Sequence, residues 1–188
     1  MQDIITYPTS LAQWQALINE ATVDAHIRLN EDLESYLVFL LMRFSTKPEM
    51  AHSVLAIDFL SAFSDNAPDR SQQLQSVGDK CLLLAGLFPG RAERKHVRIS
   101  YFIHLGQSAY SSLSSVSTPS WALLFNSLSD AFVPLTDVLL TARSLNQVPA
   151  LTPLQAEELY SDTHSSAAKR TLPESGVLGV VANQNKNL

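Results

Sequence analysis

The sequence has little cysteine, and this scarcity excludes one class of small stabilised domain. Its single cysteine, Cys81, lies in the apolar run KCLLLAGLF. One thiol cannot form a disulfide within its own chain, so a disulfide framework is excluded. In apolar surroundings a free thiol behaves as a small hydrophobic side chain. A chain of 188 residues is long enough to bury one sizeable core without such cross-links.

Long apolar runs and a basic leader are also missing. The longest unbroken apolar stretch, YLVFLLM at residues 36–42, is far shorter than the roughly 20 residues that cross a bilayer. The first ten residues, MQDIITYPTS, carry an acid and lack the basic and apolar regions of a signal peptide. We therefore expect a soluble, cytoplasmic protein with no membrane partner.

Positive charge is in the minority. The chain has 13 lysines and arginines against 18 aspartates and glutamates, which gives a net charge of −5 at pH 7. Binding to nucleic acid draws much of its affinity from neutralising phosphates with basic side chains. The composition therefore argues against a nucleic-acid partner, and any basic surface has to be local.

Helical signals occur along almost the whole chain. Apolar spacing, capping residues and breakers predict seven helices. They cover roughly residues 10–25, 31–44, 48–64, 69–87, 91–113, 119–139 and 153–172. The second and fourth are apolar all round in their second halves, so we expect them to lie centrally. The predicted fold is an all-α, compact, single-domain bundle of about seven helices.

Particular residues predict how these helices meet. The turn Phe88-Pro89-Gly90 is short, so we expect the fourth and fifth helices to form an antiparallel hairpin. Pro134 falls inside the sixth helix and should kink it. Gly106 lies on the apolar side of the fifth helix, where its lack of a side chain should let a neighbouring helix approach closely.

The chain is expected to divide into a helical domain over residues 1–172 and a tail over residues 173–188. The tail segment VLGVV at 177–181 is too short to fold alone, so we expect it to be mobile or to dock on a neighbour. This segment and Trp121 add apolar surface with no obvious cover. Because two-fold dimers are the commonest way to cover such surface, we expect a homodimer.

Two Glu-x-x-His pairs, Glu49 with His52 and Glu93 with His96, have the spacing of di-iron carboxylate bundles. In those bundles the pair lies mid-helix and faces the core. Here both pairs fall in the first turn of a predicted helix, and the second lies among cations that oppose a divalent metal. We interpret both pairs as surface residues and predict neither a metal nor another cofactor.

A serine-hydrolase-like pattern is equally incomplete. Gly106-Gln107-Ser108-Ala109-Tyr110 lacks the last glycine of G-x-S-x-G. That motif also needs a strand-to-helix turn, whereas Ser108 and the nearby His104 fall within a predicted helix. We assign no catalytic residue, and the sequence favours a noncatalytic protein.

The chemical feature that stands out is a basic stripe, defined as Arg91, Arg94, Lys95 and Arg98. On a helical wheel these four cations share one narrow sector. Residues 91–98 carry a net charge of +3, which leaves −8 on the rest of the chain. Cations in the first turns of a helix oppose its dipole, so a compensating negative charge is expected.

Three sources could supply that charge. One source is internal, namely the acidic cluster Glu31, Asp32 and Glu34 at the start of the second helix. The others are a protein partner with an acidic surface, including a second copy, and a small anion. We therefore predict a noncatalytic interaction or regulatory module that binds an acidic partner or itself through the basic stripe.

The alternative is an enzyme or an anionic-ligand binding protein with a site between helices. Asp79 and Lys80 directly precede the apolar run CLLLAGLF, and charged side chains are rarely buried without a partner. Tyr101 and His104 are the polar residues of the fifth helix that we group with it. Asp79, Tyr101 and His104 define a candidate polar pocket. Helical periodicity alone does not show that they lie together.

Overall fold

The computed structural model describes residues 9–48, 69–148 and 151–172. Within these ranges all regular structure is helical and there is no strand, which confirms the all-α class. The helices are α1 (Ser10–Ala25), α2 (Glu31–Thr46), α3 (Arg70–Gly86), α4 (Gly90–Arg94), α5 (Ile99–Val116), α6 (Pro119–Asp130), α7 (Phe132–Leu145), α8 (Pro153–Thr163) and α9 (Ser166–Thr171). The predicted helix beyond Pro48 and the tail at 173–188 lie outside the described residues.

Capping side chains begin several of these helices. The Asn30 side chain accepts a hydrogen bond from the Leu33 amide at 2.9 Å, and Thr152 forms a reciprocal capping box with Gln155. Both starts agree with the sequence. For α1 the cap is Thr9, whose hydroxyl accepts from the main chain three residues later.

The sixth predicted helix is two helices. Helices α6 and α7 meet at 65° with Ala131 between them, whereas the sequence predicted one helix with a kink. Pro134 explains the position of the break, because it has no amide hydrogen for the Asp130 carbonyl and its ring crowds that carbonyl. The prediction located the distortion correctly and underestimated its size.

Helix length also bears on membranes. Across residues 9–48, 69–148 and 151–172, no single helix is both long enough and apolar enough to cross a membrane. The bent pair α6 and α7 together has the length and apolar composition of a membrane span, but most of α7 is buried among the other helices.

The basic stripe does not begin a long helix, contrary to the sequence prediction. The short helix α4 begins at Gly90 and ends at Arg94, and His96 then adopts a left-handed conformation with φ 54° before α5 begins at Ile99. Arg91 and Arg94 therefore lie in a helix of five residues, whose first and last turns overlap, with Arg94 at its C-terminal end, where a cation complements the helix dipole.

The last predicted helix is also divided. Helix α8 ends at His164, which has φ 56°, and the Ser165 side chain caps α9 by accepting from the Ala168 amide at 3.0 Å. Histidine adopts positive φ more often than most residues, but it is not a helix breaker like glycine or proline, so His96 and His164 did not predict a helix end.

Helices α3 and α5 form the centre of the fold and run antiparallel. Gly78 faces the Tyr110 ring, while three residues further along α3 the Cβ atom of Cys81 approaches Gly106. Residues 81–86 are all buried, as expected for a central helix. Helix α2 is less enclosed than expected, because Phe39 remains 58% exposed.

The remaining helices surround this pair. Helix α1 packs on α2 and α7, helix α6 packs on α5, and helix α9 packs on α7 and α8. The buried side chains form one continuous apolar core that includes Leu37, Leu82, Phe102 and Phe132.

We predict that Gly106→Ala destabilises the protein by about 1–3 kcal/mol, the usual cost of overpacking. A Cβ atom at this position would lie 2.3 Å from the Phe132 ring and 2.9 Å from the Cys81 Cβ atom. Gly90→Ala is the matched control, because nothing lies within 4 Å of its added Cβ atom. Urea unfolding of both variants checks this, and equal stability of the two would contradict the packing described.

Candidate functional site

Asp79 on α3 is a carboxylate buried between three helices, with 1% of its surface exposed. Its Oδ1 atom accepts hydrogen bonds from the Tyr36 hydroxyl at 2.6 Å and the Tyr110 hydroxyl at 2.8 Å. Its Oδ2 atom accepts from the Arg43 guanidinium at 2.8 Å. One side chain thus links α3 to α2 and to α5.

Local sequence explains how these partners reach Asp79. Tyr36 and Arg43 are seven residues apart on α2, so they lie on the same side of that helix two turns apart. Gly78 leaves room for the Tyr110 ring, which would lie 2.4 Å from a Cβ atom there. Gln75, one turn before Asp79, donates to the Tyr36 hydroxyl at 3.2 Å. We call these five residues, Tyr36, Arg43, Gln75, Asp79 and Tyr110, the Asp79 network.

The hydrogen-bond geometry of the Asp79 network surrounds the acid with donors. Burial raises the pKa of Asp79 above its ordinary value, although the Arg43 charge and the two hydroxyls oppose that rise. Burial and the charge of Asp79 raise the pKa values of Tyr36 and Tyr110 far above the usual range. Both hydroxyls therefore keep their protons. All three partners donate, which suits a carboxylate and not a protonated acid.

This arrangement holds protons in place and does not move them. A tyrosine with a strongly raised pKa is a poor acid or nucleophile near neutral pH. Arg43, about half exposed, is the member of the Asp79 network that solvent reaches most easily. Its pKa is raised by the Asp79 charge, although partial burial acts in the opposite direction. The chemistry fits a buried cross-link between helices.

The structure does not bring the predicted polar pocket together. Tyr101 and His104 are exposed on α5, whereas Asp79 is enclosed. Tyr101 precedes Tyr110 by nine residues, or two and a half helical turns, so the two tyrosines lie on opposite sides of α5. The sequence identified Asp79 as unusual but missed its tyrosine partners. Gly78, directly before a buried acid, was the available signal.

A second buried carboxylate, Asp137 on α7, was not found from the sequence. It is 2% exposed and accepts hydrogen bonds from the Ser165 hydroxyl and from the amide and hydroxyl of Ser166, the latter two at 2.8 and 2.9 Å. The Ser165 hydroxyl also caps α9. Asp137 therefore fixes the junction between α8 and α9 onto α7.

The basic stripe divides into two parts. The Arg98 guanidinium lies 3.0 Å from an Asp162 carboxylate oxygen and 3.6 Å from one of Glu158, both on α8. Ser100 donates to Asp162 at 2.7 Å, and this bond together with Arg98 lowers the pKa of Asp162. Arg98 is thus paired within the chain, with α8 and not with the acids of α2 suggested by the sequence.

The other three cations lie together around α4. The guanidinium carbon of Arg91 lies 5.0 Å from the centre of the Phe88 ring, in a cation–π contact. Arg94 and Lys95 are exposed at the end of the same helical turn. We call Arg91, Arg94 and Lys95 the basic turn.

The described part of the surface includes two concavities. The apolar groove, of about 240 Å³, is lined mainly by Trp14, Leu17, Leu41, Phe88, Leu139 and Val148. The polar cleft, of about 220 Å³, lies elsewhere and is lined by residues that include Asp24, Thr141, Ser144 and Arg170. Neither contains a member of the Asp79 network.

The described residues contain no group of three or more His, Cys, Asp or Glu side chains arranged to hold a metal. Glu93 and His96 do not share a continuous helix face, because α4 ends at Arg94 and His96 is left-handed. The pair Glu49 and His52 lies outside the described residues.

Comparison with known proteins adds no family. No protein-family model matches the chain, and no curated protein or solved structure is significantly similar to it. Function therefore has to be inferred from the residues described above.

We predict that Asp79→Ala destabilises the fold by about 3–5 kcal/mol, because it leaves two buried hydroxyls and a guanidinium without their acceptor. Tyr110→Phe removes one donor and should cost about 1–2 kcal/mol. Glu20→Ala, at an exposed position of α1, is the control and should change stability by less than about 0.5 kcal/mol. Urea unfolding measures all three, and an Asp79→Ala effect no larger than the control would contradict the prediction.

Proposed function

We propose that this chain is a noncatalytic helical interaction module that binds an acidic partner surface, or a second copy of itself, through the basic turn. The observation that carries the proposal is the clustering of Arg91, Arg94 and Lys95 around one surface helical turn of an acidic chain. Arg98 is left out, since Asp162 and Glu158 accompany it. Local positive charge of this kind steers and orients acidic partners.

The state of the polar residues supports a noncatalytic role. The Asp79 network keeps its tyrosines protonated, and Asp137 is occupied by two serines. Ser108, the residue of the hydrolase-like pattern, donates its hydroxyl to the His104 carbonyl within α5. These groups are engaged in holding helices.

Exposed apolar side chains support self-association. Trp121 is 57% exposed and stacks on Phe125 with ring centres 6.0 Å apart, and Leu123, two residues later on α6, is 71% exposed. A homodimer would cover part of this surface. Exposed ion pairs contribute only about 0–1 kcal/mol, so apolar burial would supply most of the affinity and the basic turn would set orientation.

Sedimentation velocity tests this function at several protein and salt concentrations, with and without poly-glutamate as an acidic probe. We expect self-association or probe binding that weakens with salt and is reduced at least severalfold in Arg94→Glu with Lys95→Glu. The matched control, Arg28→Glu with Lys169→Glu, makes the same charge change at exposed sites elsewhere and should behave as the native chain. A native chain that stays monomeric and ignores poly-glutamate at low salt would contradict the proposal.

A second candidate function is the binding of a small anion in the polar cleft. The Arg170 guanidinium projects into this cleft, donating to the Ala25 carbonyl and the Thr141 hydroxyl, each at 2.9 Å. Hydroxyls and a guanidinium suit phosphate or carboxylate, whereas Asp24, which also lines the cleft, opposes an anion. The cleft is smaller than the roughly 300–1,000 Å³ of typical drug-sized sites, so a small anion fits it better.

For this candidate we predict that inorganic phosphate raises the melting temperature relative to chloride at equal ionic strength, because a ligand stabilises the state that binds it. Arg170→Gln should abolish the difference. Lys169→Gln, at the neighbouring exposed cation, should preserve it. If phosphate and chloride affect the native chain equally, this candidate is wrong.

A further inference from the structure

We propose that the apolar groove and the basic turn together form a docking site for a short acidic segment of a partner protein that carries apolar anchor residues. This inference rests on the proposed function, because it identifies the class of partner that the basic turn would meet. It adds a second contact surface, the groove, and a requirement for apolar side chains in the partner.

The shape of the groove suits side-chain anchors. Leu41 and Leu139 are buried at its floor, Trp14 and Leu17 are half-buried at its wall, and Val148 is 42% exposed at its edge. A volume of about 240 Å³ is below the roughly 300–1,000 Å³ of typical small-molecule sites. It is of the size filled by one or two apolar side chains from an amphipathic peptide, as in helix-in-groove recognition.

Positive charge surrounds one side of the groove. Phe88 lines it, and Arg91 of the basic turn stacks over the same ring at 5.0 Å. Arg94 and Lys95 follow directly in sequence. Arg143 lines the groove too, and its guanidinium donates to the Leu87 carbonyl. Among the described residues that line the groove, none is acidic.

Charge complementarity selects an acidic partner over the chain's own tail. A segment with apolar anchors and flanking aspartates or glutamates would place its anchors in the groove and its acids beside the basic turn. Residues 173–188 contain VLGVV but only one acid, Glu174, which Lys186 balances. The tail therefore supplies anchors without the matching charge.

The acids of α2, the cluster suggested by the sequence, fit less well than a separate peptide. Glu31 and Asp32 are exposed on α2, but the apolar residue between them and Glu34, Leu33, is 5% exposed. The next exposed apolar residue, Phe39, lies five residues after Glu34 and is rotated by about 140° around the helix. The acids of α2 therefore do not flank an exposed anchor.

The test uses a labelled peptide of about 12 residues with leucines three and four residues apart and glutamates elsewhere, measured by fluorescence anisotropy on the full chain. One comparison peptide replaces the glutamates with lysines, and another replaces the leucines with serines. We expect the acidic leucine peptide to bind at least about tenfold more tightly than either comparison peptide, with affinity that falls as salt rises.

Matched variants of the chain locate the site. Val148→Glu at the groove edge should weaken binding of the acidic leucine peptide at least severalfold, whereas Val23→Glu, at a 75% exposed position of α1, should not. Arg94→Glu with Lys95→Glu should weaken binding and reduce its salt dependence, in contrast to Arg28→Glu with Lys169→Glu. Circular dichroism and melting temperature check that each variant is folded.

Several results would overturn the inference. If binding is lost on Arg94→Glu with Lys95→Glu but unchanged by Val148→Glu and by the serine peptide, the groove assignment is wrong and the proposed function stands. If truncation after Pro173 strengthens peptide binding at least about tenfold, the tail is the occupant instead. If the peptide does not bind at about 1 mM while the chain dimerises through the basic turn, a second copy is the occupant.

Discussion

Burial of the Asp79 carboxylate is the constraint on which the central packing of this fold depends. Removing an ion from water costs several kcal/mol, and that cost is offset only when the donors around it are placed well. Here the donors come from two other helices, Tyr36 and Arg43 from α2 and Tyr110 from α5. A shift of α5 along α3 by one turn would separate Tyr110 from Asp79, so the Asp79 network selects one register.

The small residues of the central pair serve the same end. Gly78 admits the Tyr110 ring beside Asp79, and Gly106 admits Phe132 of α7. Asp137 of α7 is a second buried carboxylate surrounded by donors, and it accepts hydrogen bonds from the start of α9. Asp79 and Asp137 are committed to these contacts, whereas the basic turn and the two concavities lie at the surface.

Local signals predicted the parts of the fold that depend on neighbours in sequence. Asn30 and Thr152 mark helix starts because a cap acts within one turn, and Pro134 marks a break because it removes a specific main-chain hydrogen bond. The left-handed residues His96 and His164 carry no comparable signal, so α4 and α9 were not predicted as separate helices. The unbroken apolar run of α2 also predicted a helix enclosed on every side, although Phe39 is exposed.

The candidate site was only partly predictable, because its contacts join distant parts of the sequence. Asp79 stands out locally as an acid just before an apolar run, but Tyr36 lies 43 residues before it and Tyr110 lies 31 residues after it. Arg98 is 64 residues from Asp162. Helical periodicity says which side of a helix a residue occupies, not which other helix it faces. The sequence could therefore identify the charged residues but not pair them.

A double-mutant cycle between Asp79 and Tyr110 tests the central claim most directly. Urea unfolding would be compared for the native chain, Asp79→Ala, Tyr110→Phe and the double variant, all in the same concentration of sucrose to keep the weakest variant folded. Two side chains that share one buried hydrogen bond should show a coupling free energy on the order of 1–3 kcal/mol. Effects that add to within about 0.5 kcal/mol would contradict the claim that this carboxylate holds α3 and α5 in register.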